Sequence, residues 1–217
     1  MGKPGREGLL RLPSPQLAPH LLGSHVSSFI DGQLVVVRVT EVEAYDGALD
    51  PGSHAYRGKT ARNAALFGPP GTAYIYFTYG MHHCANVVCG PEGTASAVLL
   101  RAGEVIHGRE TVLARRGNPK GPEAKLLSGP ARLAQGLGLT LEQNGWRFGN
   151  GAAHPPDPGL GLENLSVSPS GHLAGPRTGV AGAGGAEEYP YRFWLPGEAS
   201  VSPYRKAAPR KARGEWD

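Results

Sequence analysis

The sequence predicts an α+β fold: a single domain built on a curved, partly barrel-like antiparallel β-sheet with peripheral helices and a protruding β-hairpin. Three observations point there. In "VSSFIDGQLVVVRV" the pair Asp31-Gly32 separates two β-rich runs, the strongest short-range hairpin signal a chain offers. The runs "TAYIYFTY", "CANVVC" and "ASAVLLRA" then succeed one another between "PPG", "YGM" and "GPEG", which reads as an antiparallel meander. Helical patterns fall outside these runs, so the helices must lie around the sheet rather than alternate with its strands. A length of 217 residues suits one domain with a sizeable core.

Taken in order, residues 1–10 are polar and charged at their start and are expected to be a loose N-terminus. In "PSPQLAPHLLG" Ser14 can cap a short helix, Pro15 suits its first turn and Gly23 can end it. The second strand of the first hairpin leads into "TEVEAYDG", residues 40–47. After the meander, helical patterns return at about 104–115 and at "SGPARLAQGL", where Ser128 is the expected cap. The 33 glycines and 20 prolines concentrate in 151–185, read as long loops around one short strand. The folded domain is expected to span 11–204. It is followed by a basic tail, 205–217, whose cations favour non-specific contact with a polyanion.

Composition narrows the partners. With 22 Lys+Arg against 18 Asp+Glu the net charge is +4 and the pI near 9.2, which permits an anionic partner without requiring one. Cys84 and Cys89 are too few for a disulfide scaffold. No stretch approaches the length of a membrane span, and "MGKPGREGLL" lacks the apolar run of a signal peptide. These features read as a soluble, intracellular protein with no membrane partner.

Four groups of residues carry chemistry. Strict alternation along the strand would place Val35, Val37, Val39, Glu41 and Glu43 on one face, with Tyr45 following in the same parity. Burial of that face would favour a general acid or base, whereas exposure would leave two solvated carboxylates, and spacing alone leaves both open. The second group is aromatic, Tyr74, Tyr76, Phe77 and Tyr79. The strand residues suit packing, and Tyr79, at the turn Tyr79-Gly80-Met81, offers a wedge to something outside. "MHHCANVVC" suggests zinc through His82, His83, Cys84 and Cys89. However, the two cysteines are an odd number apart and must face opposite sides of a strand, so no metal site is expected. "RGKTARN" places Arg57, Lys59, Arg62 and Asn63 in a glycine-containing loop that suits phosphate but matches no nucleotide fingerprint.

In the order "EVEAYDG", "SHAYRGKTARN", "FGPPGTAYIYFTYGMHHCANVVC", "SAVLLRAGE", "LSGPARLAQGLG" and "RTGV…YRFWLPG…VS", the chain resembles the alkyladenine (3-methyladenine) DNA glycosylase family in its shorter bacterial form, from about Leu17 to Ser202. The resemblance implies a monofunctional enzyme of base excision repair that acts on double-stranded DNA as a monomer without cofactor. Alkylated or deaminated purines would be flipped out and their N-glycosidic bond hydrolysed. It implies that Glu43 activates the attacking water and that Arg101 helps hold it. Tyr45 and Tyr76 would be the stacking walls of the base pocket, with His54 at its edge and Asn86 crowding a guanine-type amino group. Tyr79 would fill the hole left by the extruded nucleotide, and Arg57, Lys59 and Arg62 would meet the DNA backbone. His82, His83 and Tyr56 depart from the larger animal members and receive no role. Two rivals remain: a non-catalytic binder of damaged DNA, and a zinc nucleobase deaminase, whose H-x-E and P-C-x-x-C signatures are absent.

Overall fold

A computed structural model describes residues 5–78, 80–166 and 170–208. The chain order is α1 (Arg6–Leu10), α2 (Ser14–Leu21), β1 (His25–Ile30), β2 (Gln33–Tyr45), β3 (Ala73–Thr78), β4 (His82–Val88), β5 (Ala97–His107), α3 (Arg109–Arg115), α4 (Pro130–Leu137), β6 (Phe148–Asn150), β7 (Gly159–Glu163), β8 (Leu173–Gly175) and β9 (Arg192–Trp194). The architecture is α+β, with one sheet in the order β3-β4-β5-β2-β1-β7-β6 and with β9 and β8 added at β2.

The first hairpin forms as its turn residues require. Asp31 and Gly32 both take positive φ, 54° and 72°, the primed turn that matches strand twist, and Ile30 stands opposite Gln33. The meander β3-β4-β5 also forms, with Tyr76 opposite Cys84 and Asn86 opposite Leu99.

β2 is long enough to take two neighbours on one edge. Residues 33–38 pair with β1 and residues 41–43 with β9, while β5 runs along the other edge. At the fork the β2–β5 register shifts on either side of Glu41, so Thr40 bulges out of the β5 ladder. Its carbonyl accepts the Leu195 N–H (3.0 Å) and its hydroxyl pairs with Ser200 (2.8 Å). The bulge corrects the strict alternation expected from the sequence. The main core takes Val35, Val37 and Val39 before the bulge but Val42 and Ala44 after it. Glu41, Glu43 and Tyr45 therefore lie on the face opposite that core, because one extra residue inverts the parity of everything downstream.

Several local expectations are also corrected. Residues 104–107 are strand rather than helix, since β5 stays paired with β2 as far as His107 opposite Val36; Gly108 (φ 82°) then breaks the chain into α3. Ser14 does not cap α2: its N–H donates to Ser96 Oγ (2.8 Å), and the helix ends at Leu21 before Gly23. Ser128 makes a bridge with Ala102 instead of capping α4. The N-terminus is not loose throughout, because α1 buries Leu9 and Leu10 against the core. Segment 151–185 contributes two strands, β7 beside β1 and β8 beside β9. Tyr79 and residues 209–217 of the basic tail lie outside the described residues.

Gly103 lies opposite Val39, just before the bulge. A Cβ there would stand 2.3 Å from Val37 Cγ1 and 2.7 Å from the Arg38 carbonyl, both fixed inside a paired strand. Gly103→Ala is expected to destabilise the fold by about 1–3 kcal/mol through overpacking. Urea denaturation measures this, and an unchanged midpoint would show that the bulge yields without cost.

Candidate active site

The face opposite the main core is where the meander places its remaining side chains. While Ala73, Ile75, Ala85, Val87, Val98 and Leu100 enter the core, their alternating neighbours Tyr74, Tyr76, Cys84, Asn86, Leu99 and Arg101 line a cavity of about 370 Å³. Register carries one row across four strands, with Tyr74 opposite Asn86, Asn86 opposite Leu99 and Leu99 opposite Glu43. Loops complete the enclosure through Pro51–His54 on one side and Thr178–Ala181 on the other.

Glu43 is fully buried at the cavity wall and its oxygens are shared among three donors. The Thr178 N–H reaches Oε1 at 2.7 Å, Arg101 Nη1 lies 3.2 Å from the same oxygen, and the Tyr45 hydroxyl donates to Oε2 at 2.9 Å. Burial pushes the Tyr45 hydroxyl far above its ordinary range, and the Glu43 charge adds to this, so Tyr45 remains a donor. Tyr74 and Tyr76 stack with ring centres 5.5 Å apart, and the His54 ring meets Tyr76 edge-on at 4.6 Å. His54 Nδ1 pairs with the Tyr74 hydroxyl (3.0 Å). Burial, reinforced by the Arg62 charge, lowers the histidine's pKa, which keeps it neutral at pH 7. Asn86 donates Nδ2 to the Tyr74 carbonyl (2.9 Å) and so is held in place.

Glu41 has a different task. Its Oε1 accepts from Arg101 Nε (3.0 Å), Arg192 Nε (2.7 Å) and the Ser202 hydroxyl (2.9 Å), and its Oε2 accepts from the Ser202 N–H (2.7 Å). Burial would raise its pKa, but Arg101, the Ser202 N–H and Arg192 together hold it below the usual range. Arg101 thus spans the two carboxylates, Nε on Glu41 and Nη1 on Glu43.

A family profile described as methylpurine-DNA glycosylase matches residues 9–199. The chain is 49% identical over 210 residues to a protein of Leifsonia xyli, covering 95% of this chain and 94% of the relative. It is 50% identical over 201 residues to one of Streptomyces avermitilis, covering 93% and 92%. A Burkholderia cenocepacia protein is 44% identical over 188 residues, covering 86% and 85%. All three relatives are provisionally named 3-methyladenine DNA glycosylase. The chain belongs to the methylpurine-DNA glycosylase family. The enzyme is accordingly a DNA glycosylase, a hydrolase of N-glycosyl bonds, and among its described residues no helix is long and apolar enough to cross a membrane.

Within the glycosylase, Glu43, Arg101, Tyr45, His54, Tyr76 and Asn86 all line the one cavity. Arg57, Lys59 and Arg62 do not: they are exposed on the loop after His54. Arg62 Nη2 donates to the Phe77 carbonyl (3.1 Å), and Lys59 Nζ lies 5.5 Å above the Phe67 ring. Asn63, from the same motif, is structural. It is buried, and its Nδ2 ties down the His54 and Gly58 carbonyls, both at 3.0 Å. Cys84 faces the cavity and Cys89 the core, the opposite faces that their odd spacing requires.

Sequence reasoning missed Thr178, Arg192 and Ser202, which meet Glu41 and Glu43, and the buried pair Asp50 and Arg177. Their signal was faint. "RTGV" and "YRFWLPG…VS" stand out as motifs, but nothing in their composition or period says which buried acid they serve.

Removing Glu41 leaves two buried guanidiniums short of a carboxylate, and breaking such a pair costs about 3–5 kcal/mol. Glu41→Ala is expected to lose that much in chemical denaturation. Because the folded pKa of Glu41 lies below its ordinary 4.5, its stabilisation is complete above that value and disappears as pH falls through the folded one. Glu41→Gln should therefore flatten the acid side of the melting temperature's pH dependence; an unchanged slope would assign that dependence to other groups.

Proposed function

We propose that the enzyme excises alkylated or deaminated purines, 3-methyladenine among them, by rotating them out of duplex DNA into the cavity and hydrolysing the N-glycosidic bond with a water activated by Glu43. The observation that carries this reading is a buried carboxylate on the wall of an aromatic cavity, oriented by the Thr178 N–H, Arg101 and the Tyr45 hydroxyl. The water oxygen attacks the sugar's C1′, its proton passes to Glu43, and the glycosidic electron pair leaves with the base. A cationic alkylated purine departs neutral, so its departure requires no acid. Arg101 helps hold the water against Glu43.

The rings suit the substrate because stacking accepts any purine face. His54, neutral and held through Nδ1, presents its Nε2 edge for a hydrogen bond to the base. Asn86 is held to the Tyr74 carbonyl and cannot swing aside for a guanine-type exocyclic amino group, which favours other purines through exclusion. Arg57, Lys59 and Arg62, on an exposed loop beside the cavity, serve the DNA backbone. Tyr79, which stands between Thr78 and Gly80 in the sequence, serves as the wedge that fills the stack.

An amine nucleophile at Lys59 would instead form a Schiff base, but that ammonium lies on the surface over Phe67 and outside the cavity lining. Glu43→Gln keeps shape and removes the base, so single-turnover excision should fall about 10²–10⁴-fold while lesion binding persists. Lys59→Ala should weaken DNA affinity alone, and borohydride should trap no adduct on the native protein. Near-native excision by Glu43→Gln, or an adduct that disappears in Lys59→Ala, overturns the water mechanism.

Extrusion from a paired stack costs a few kcal/mol, part of which a wedge offsets. Tyr79→Ala is therefore expected to slow excision more on a well-paired lesion than on one already mismatched or single-stranded. Equal losses on these substrates would assign Tyr79 another role.

A further inference from the structure

Arg177 comes from the glycine- and proline-rich segment to which the sequence assigned no task. It is among the largest fully buried side chains in the described structure. Its guanidinium joins three separate stretches of chain. Nη1 donates to the Ala44 carbonyl on β2 (2.8 Å) and to Asp50 Oδ2 (2.5 Å), and Nη2 donates to Asp50 Oδ1 (2.6 Å) and the Gly184 carbonyl (2.5 Å). Nε is buried with no hydrogen-bond partner among the described residues. The group lies over aromatic faces instead, 4.4 Å from the centre of Tyr45 and 5.5 Å from that of Tyr191.

The surrounding chain leaves room for this group and little more. A Cβ on Gly52 would stand 2.5 Å from Arg177 Nη2, and one on Gly184 would stand 2.3 Å from the Gly52 nitrogen. Asp50 is committed on both oxygens to Arg177 and also accepts the Asp46 and Gly52 N–H groups. The residue that follows Arg177 delivers its N–H to Glu43, and the ring that Arg177 backs delivers its hydroxyl to the same carboxylate. Two of the three groups that orient Glu43 therefore depend on where one buried guanidinium sits.

We infer that Arg177 is a positioning residue for base excision: clamped by Asp50, it fixes the Tyr45 wall from behind and sets the Thr178 N–H against Glu43. The inference rests on the reading of Glu43 as the base that activates water. An arginine suits this place because its planar fork satisfies a bidentate carboxylate and two carbonyls while its face stacks on a ring, which lysine cannot do at once.

Two variants test it, each assayed in the cold beside native enzyme and Glu43→Gln. Arg177→Lys keeps the charge and loses the fork, and Arg177→Met with Asp50→Asn removes both charges together so that no ion is left unpaired. Both are expected to melt cooperatively at reduced temperature. Folded enzyme should lose about 10–10²-fold in single-turnover excision, the scale of a small misplacement of reacting groups. Affinity for a duplex bearing a tetrahydrofuran site, which offers no base to stack, should stay native. A merely structural residue would lower the melting temperature and leave the rate of the folded fraction unchanged. Native rates in the folded variants, or failure of both to fold in the cold, overturn the inference. If Glu43→Gln itself excises at the native rate, it is the reading of Glu43 that fails instead.

Discussion

Two carboxylates two residues apart on β2 are removed from water, and the rest of the structure is arranged around compensating them. A buried, unpaired carboxylate costs several kcal/mol, so Glu41 and Glu43 must each be met by donors. Among the described residues the buried charged side chains are Glu41, Glu43, Asp50, Arg101, Arg177 and Arg192, three acids matched by three arginines. They form two linked groups. Arg101 and Arg192 serve Glu41 and Glu43, and Arg177 serves Asp50 while leaning on Tyr45.

This compensation explains why the C-terminal third of the chain follows the path it does. β9 lies on the half of β2 that β1 leaves free, which brings Arg192 beside Glu41, and Ser202 returns with both its N–H and its hydroxyl for the same carboxylate. The bulge at Thr40 makes room for both features. It turns the acids away from the aliphatic core and frees a carbonyl for Leu195 at the point where β9 docks. One extra residue thereby separates the face that packs the core from the face that lines the cavity.

Chemistry follows from the same division. Glu41 is engaged by four hydrogen bonds, two of them from guanidiniums, and does not line the cavity, whereas Glu43 lies on the cavity wall. In the proposed mechanism a water there meets Glu43 as its proton acceptor and Arg101, which Glu41 holds in place. The aromatic walls arise from ordinary strand alternation: Tyr74 and Tyr76 stand out from β3 because Ala73 and Ile75 go in. The aromatic rings of Tyr74 and Tyr76 and the Glu43 carboxylate are thus placed by the sheet, and loops supply Pro51–His54 and Thr178–Ala181.

What the sequence determined by itself was local. Asp31-Gly32 specified the first hairpin through its positive φ angles, the three β-rich runs specified the meander, and the odd spacing of Cys84 and Cys89 specified that they would face opposite sides of a strand. Resemblance to a family picked Glu43, Arg101, Tyr45, His54, Tyr76 and Asn86, and the fold brings these together in one cavity. What the sequence could not show was any feature that depends on two distant segments meeting. The side to which Glu43 points is decided by a bulge whose extra residue is accommodated only when β5 and β9 have docked. The strand that extends over residues 104–107, where the local pattern is helical, exists because β2 supplies a partner for it. Arg177, Thr178, Arg192 and Ser202 carry no periodic signal, since their positions answer to buried carboxylates 127, 135, 151 and 161 residues earlier, respectively. Propensity acts between neighbours in the chain, but the cost of a buried charge is settled only by whatever the completed fold places beside it.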